Sequence, residues 1–249
     1  MLGTPNNAGF GIVSSNSWAA QAFQTGTAPG GYELDSIQVI MWYPDDHAAG
    51  FSLSLCGNNV YSGGVMGPYS APGTILGALS GSSQPSIGTN TYTASGIWLA
   101  PATTYWILLT SSTPDAVGQL YWCCTESYID TPYISIDNWS IPALEGNVIL
   151  TFAGSSDNGL SWGFPAYCWG QFAVNATPAI PPALSIQSAT NGITLLWPVS
   201  APVYRLEQNT NFANLSWVSN TIPVSVVNGT NQVMIYPSSG SLFFRLINP

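Results

Sequence analysis

The sequence predicts an all-β protein, a large jelly-roll-like β-sandwich followed by a small immunoglobulin- or fibronectin III-like sandwich. Three observations carry that expectation. Helical periodicity is almost absent along the 249 residues. Short runs rich in Val, Ile, Thr, Tyr, Phe and Trp recur instead, each closed by a cluster of Gly, Pro, Asn, Asp or Ser. One stretch, 177–183, concentrates prolines into a stiff, extended linker.

The elements follow in order. Before the linker, strands are expected near 18–24, 34–42, 51–56, 74–79, 91–93, 97–99, 104–110, 118–125, 133–136, 148–153 and 170–175. Turn chemistry separates them at Pro44-Asp45-Asp46, Gly57-Asn58-Asn59, Gly63-Gly64 and Asp157-Asn158-Gly159. Many short strands at this spacing imply a sandwich over residues 1–176. After the linker, 184–187, 193–197, 203–208, 215–218, 223–227, 232–236 and 242–247 read as seven strands of a second sandwich over 184–249. No Cys-Trp-Cys arrangement marks it as an antibody-type domain.

Several motifs of the first module resemble the "choice-of-anchor" domains of bacterial secreted proteins. They are Trp18-Ala-Ala-Gln-Ala-Phe23 with Thr25-Gly26, Tyr32-Glu-Leu-Asp-Ser-Ile37, Pro72-Gly73-Thr-Ile-Leu76, Leu99-Ala-Pro-Ala-Thr-Thr-Tyr-Trp-Ile-Leu108 and Gln171-Phe-Ala-Val174. The resemblance covers about residues 17–175 and is most specific at Thr104-Tyr105-Trp106. It implies a jelly-roll sandwich on an extracellular protein, without established catalytic residues. Such domains usually precede a sorting or anchoring signal, whereas here a second sandwich follows. That second module, with Leu196-Trp197-Pro198 early and Phe243-Phe244-Arg245-Leu246 at its end, resembles a small sandwich found in many secreted bacterial proteins.

Composition narrows the function classes. Charged residues make up 5% of the chain, against about 25% in an ordinary soluble domain. There is no Lys, and the two Arg are Arg205 and Arg245. Nucleic-acid binding is excluded, because neutralising phosphates needs Lys or Arg. Attraction to anionic lipid is removed for the same reason. No stretch is apolar enough for a membrane span, and the start lacks a signal peptide's basic and apolar regions, so it reads as a processed or trimmed terminus.

Four cysteines, Cys56, Cys123, Cys124 and Cys168, suit two disulfides and an oxidising compartment; the alternative is four reduced, buried thiols. Adjacent Cys123 and Cys124 on one strand face opposite ways. Strand parity turns Cys124 and Cys168 inward and Cys56 and Cys123 outward. The expected pairs are therefore Cys56–Cys123 and Cys124–Cys168.

Chemistry-bearing constellations are sparse. A triad would have to use the single His, His47, which sits in a polar turn, and no Gly-x-Ser-x-Gly elbow presents a serine. Asp130, Asp137, Glu145 and Asp157 offer carboxylates for glycoside hydrolysis without a readable pairing. Asp45-Asp46 and Asp157-Asn158 lack calcium-loop spacing and read as Asx turns. No catalytic, cofactor or metal site is expected, and the chain reads as a non-enzyme.

The aromatics give the best functional signal. Tyr128, Trp139, Trp162, Tyr167 and Trp169 stand among Asp, Asn and Gly and could stack on sugar rings; the alternative is that they fill the core and cap the sandwich. Two functions follow. The first is an extracellular structural protein, a self-assembling subunit of a bacterial filament, sheath or surface layer. Its neutral strand edges lack the charges that keep sheets apart, and Phe10, Ile12 and Val13 are the candidate strand to add to a neighbour. The alternative is that this strand completes its own sandwich. The second function is a carbohydrate-binding or adhesion module.

Overall fold

The computed structural model describes residues 10–42, 49–64, 67–114, 119–125, 138–141, 152–163, 169–199, 204–211, 213, 216–236 and 240–247. Among them the protein is all-β, in antiparallel sheets and without helices. The chain divides into two compact units, Met1–Pro178 and Ala179–Pro249.

The larger unit contains β1 (Phe10–Val13), β2 (Trp18–Gln24), β3 (Tyr32–Trp42), β4 (Ser52–Gly64), β5 (Gly67–Ala78), β6 (Gly88–Thr93), β7 (Trp98–Leu99), β8 (Thr104–Thr110), β9 (Leu120–Thr125), β10 (Phe152–Ser155), β11 (Trp169–Gly170) and β12 (Phe172–Pro178). Strands β10-β2-β8-β4-β5 form one sheet. The other is built on β3, which pairs with β12, β6, β7 and β9, while β9 also carries β1 and β11. The expected strand at 133–136 lies outside the described residues, as does the start of the one at 148–153.

One core cluster draws on both sheets, which makes the pair a sandwich. Val13, Leu34, Ile37, Val39, Met41, Trp122 and Cys124 enter it from one side; Ala19, Phe23, Leu53, Leu55, Ile107, Leu109 and Phe152 enter from the other. Alternation along the strands sets this up.

The five-stranded sheet is buried on its second face too. There Ala20, Ala22, Cys56, Ala71, Trp106, Leu108, Ala153 and Trp162 form a separate apolar cluster, with Trp18 and Tyr69 packed against it. Register explains its composition. Trp106 on β8 stands between Ala22 on β2 and Cys56 on β4, and the small neighbours leave room for the indole. Its Nε1 donates to Asn58 Oδ1 at 2.9 Å.

The same strand is anchored at its start. Ala100 N donates to the Tyr105 hydroxyl at 2.8 Å. Thr25 Oγ1 donates to Ala100 O at 2.6 Å and accepts from Thr103 N at 2.9 Å. These bonds hold the turn through Ala102, whose φ is +47°, and they give the Thr104-Tyr105-Trp106 segment its structural meaning.

One expectation is corrected. Gly57-Asn58-Asn59 is not a turn: β4 runs through it with register shifts at Leu55/Cys56 and Cys56/Asn58, as a bulged strand bends without ending. The candidate strand at the amino-terminal end is β1. Asp157-Asn158-Gly159 is a turn, with Asn158 at φ +58° and Gly159 at +82°.

The smaller unit holds seven strands among the described residues: β13 (Ser185–Ala189), β14 (Gly192–Pro198), β15 (Arg205–Asn209), β16 (Val218–Ser219), β17 (Ser225–Val227), β18 (Thr230–Ile235) and β19 (Phe243–Ile247). Sheets β13-β14-β18-β17 and β16-β15-β19 share a core of Leu195, Trp197, Leu206, Val233 and Ile235. On the outer face of the smaller sheet, Arg245 lies across from Glu207. Its Nη2 and Nε donate to Glu207 Oε2 at 2.7 and 2.9 Å, and its guanidinium stands 4.4 Å from the Trp217 ring centre.

Close packing at Gly170 and Trp106 gives two expected outcomes. A Cβ on Gly170 would stand 2.6 Å from the fully buried Trp122 ring, so Gly170→Ala should cost about 1–3 kcal/mol through overpacking. Trp106→Ala empties the centre of the second cluster and should cost about 3–5 kcal/mol. Urea unfolding of both variants measures this; a loss below about 0.5 kcal/mol for Trp106→Ala would show that the cluster contributes little.

Candidate functional site

The cysteines divide by face. Cys124 lies in the inter-sheet core, while Cys56 lies in the cluster on the far side of the five-stranded sheet. Cys123, next to Cys124 on β9, faces away from the core on the opposite sheet. The expected Cys56–Cys123 bond is thus corrected: both are free, buried thiols. Both point outward, but from opposite sheets, so the whole sandwich separates them. Burial pushes the Cys56 thiol up to about 12 and Cys123 up to about 11. Cys124 is disulfide-bonded. Cys168 lies outside the described residues, and its pairing with Cys124 stays a proposal.

The aromatic candidates are drawn inward where they are described. Trp139 stacks on Phe23 with ring centres 5.9 Å apart and meets Tyr32 edge-on at 4.7 Å, so it caps the core. Trp162 is 8% exposed and belongs to the cluster over the five-stranded sheet. The loop before it is built for that purpose. Asp157 Oδ1 accepts from Ser155 Oγ and Ser161 N, both at 2.8 Å, and Asp157 Oδ2 accepts from Ser161 Oγ. These bonds, those from Ser161 first, hold the Asp157 carboxyl below its ordinary pKa. Gly154 and Gly163 then exchange two backbone bonds of 2.8 Å, tying the loop to the edge of β10. Trp169 is half-buried on β11, paired with Thr125. Tyr128 and Tyr167, like His47, Asp130, Asp137 and Glu145, lie outside the described residues. For Trp139 and Trp162, packing against the apolar clusters accounts for the ring.

The amino-terminal candidates form β1, which pairs with this chain's own β9 from Phe10↔Cys123 to Val13↔Leu120. Val13 is buried in the core, while Ile12 is 41% exposed. In the single chain, therefore, this strand completes its own sandwich, which is the alternative reading of this segment.

Charge along the strands has an unusual placement. Among the described residues, the charged residues in strands are Glu33 and Asp35 on β3, Arg205 and Glu207 on β15, and Arg245 on β19. Strands β3 and β15 each have partners on both sides. The strands that are outer ones among the described residues, β1, β5, β6, β10, β12, β13, β16 and β17, carry no charge, and on β19 the one charge is already paired. Sheets ordinarily place charge at their edges to repel other strands; here most of the described strand charge sits inside. Pro72, with the irregular register, blunts the edge at β5, and Pro178 stands at the end of β12.

Among the described residues no group of three or more His, Cys, Asp or Glu could hold a metal ion, and no helix is long and apolar enough to cross a membrane. No family model, curated protein or solved structure matches this chain.

The thiols make a countable expectation. Titration of the unfolded, unreduced protein should find two thiols per chain, and four after reduction. Four before reduction would mean that no bond forms, and none would restore a second bridge. A Cys124–Cys168 bridge would contribute about 4 kcal/mol in the chain-entropy model. The free thiols also set a pH dependence. Their folded pKa lies above the ordinary thiol value of 9.0, so the unfolded state releases their protons first. Stability should fall as pH rises from about 9 to about 12. Cys56→Ala should flatten that slope in urea unfolding; an unchanged slope would remove Cys56 as its source.

Proposed function

We propose that this chain is a non-enzymatic extracellular structural protein whose copies associate with one another through their strand edges, as a subunit of a bacterial filament, sheath or surface layer. The observation that supports it most is the absence of charge from all but one of the outer strands among the described residues. An outer strand presents a row of backbone donors and acceptors that another strand can satisfy, and charge is the usual barrier to such pairing. The near-absence of Lys and Arg supports an extracellular setting, because a trypsin-like protease meets no site before Arg205. The carbohydrate reading is disfavoured by the inward packing of Trp139 and Trp162.

Purified full-length protein should form polymers or a rising mass with concentration, seen by electron microscopy and light scattering. Introducing Lys at the exposed Thr91 of β6 and Ile12 of β1 should reduce that mass. A protein that stays monomeric at high concentration and binds a glycan array through Trp169 would replace this reading with the carbohydrate one.

A further inference from the structure

The smaller unit has one sheet wider than its cover. The middle strands β14 and β18 send Leu195, Trp197, Val233 and Ile235 into the core, all buried. Directly opposed residues share a face, so Ile186, across from Leu195, belongs to the same inward side. So does Val226, in the row of Asn231 and Trp197. Both stay open, at 62% and 61% exposure. The facing sheet is one strand narrower, and β19 pairs with β15 alone among the described residues. Residues 244–247 therefore present a strand edge, and the wider sheet leaves one inward apolar residue open at each of its outer strands, Ile186 on β13 and Val226 on β17.

The second observation is where the positive charge stands. Both basic side chains of the chain lie on the β15–β19 pair, Arg205 across from Ile247 and Arg245 across from Glu207. Every acidic residue but Glu207 lies in the larger unit, which has no Lys or Arg. The outer face of this edge and the larger unit are thus opposite in sign.

We propose that the edge of β19 is the acceptor side of a joint between copies, taking an extended outer strand from the larger unit of a second copy. This rests on the self-association reading above and assigns its contact. The added strand would pair by backbone hydrogen bonds, as in β-augmentation. It would also widen the three-stranded sheet to the four strands of the sheet it faces, extending its cover on one side. Arg205 is exposed and directs the acidic unit toward the edge, while Arg245 stays held by Glu207 and Trp217. Each copy then has an acceptor in one unit and a donor in the other, a head-to-tail contact that propagates unless its rotation closes.

Hydrogen exchange of the full-length protein, assembled and dispersed, tests the joint without altering it. Amides of residues 244–247 should exchange about five- to tenfold more slowly on assembly, the effect of a backbone hydrogen bond gained. Arg205→Glu, checked for folding by circular dichroism, should need about tenfold more protein to assemble, and wild-type assembly should weaken as salt rises from about 50 to 500 mM. Assembly with unchanged exchange at 244–247, or Arg205→Glu assembling like wild type, overturns the joint but leaves self-association standing. A protein that does not assemble overturns both.

Discussion

Burial of the five-stranded sheet on both faces is the constraint on which the larger unit depends. A sheet with one wet face can alternate apolar and polar side chains. Strands β2 and β8 have no such freedom, since their interiors are enclosed on both sides. The consequence is visible in sequence as near-continuous apolar runs. Alanines stand where an indole must fit, and the one buried polar side chain inside β2, Gln21, accepts from Gly170 N and donates to Ala22 O, each at 3.0 Å. The Asp157 turn exists, structurally, to deliver Trp162 to the second face. The bonded corner at Thr25, Ala100 and Tyr105 likewise fixes where Trp106 begins.

The strands were legible because their signal is local. β2 and β8 begin and end where the runs of Ala, Phe, Trp, Ile and Leu do, and the strands of the smaller unit overlap their expected segments, β16 by Val218 alone. Facing was legible as well: parity alone turned Cys124 inward and Cys56 and Cys123 outward. What parity lacks is the identity of the sheet. Two outward residues are neighbours on one sheet and far apart on opposite ones, and only the long-range pairing of β4 with β8 and of β9 with β3 decides between these. For β1 the strand was legible in Phe10, Ile12 and Val13 but not its partner, because β9 lies more than a hundred residues away.

The aromatic cluster shows the same limit in another form. A ring beside Asp, Asn and Gly reads alike whether it faces a sugar or the core, because those polar neighbours also make the turns that fold a loop back onto a sheet. Trp162 illustrates this, with Asp157 organising the turn and the indole closing an apolar cluster. Composition, by contrast, gives no hint of which strands are outer ones. The distribution of charge became informative only when the pairing order assigned Glu33, Asp35, Arg205 and Glu207 to strands with neighbours on both sides.

That pairing order also dictates when the larger unit can form. β2 needs β10, joining Gln21 to Phe152, and β3 needs β12, joining Val39 to Phe172. Contacts this distant in sequence make the search for the native state slow. During synthesis, β2 and β3 emerge well before these partners exist, so one side of each waits unpaired. The chain therefore stays open until nearly all of the larger unit has been made. That delay leaves unpaired strand edges available to other chains for as long as β10 and β12 are missing, which makes the incomplete chain the form most exposed to mispairing.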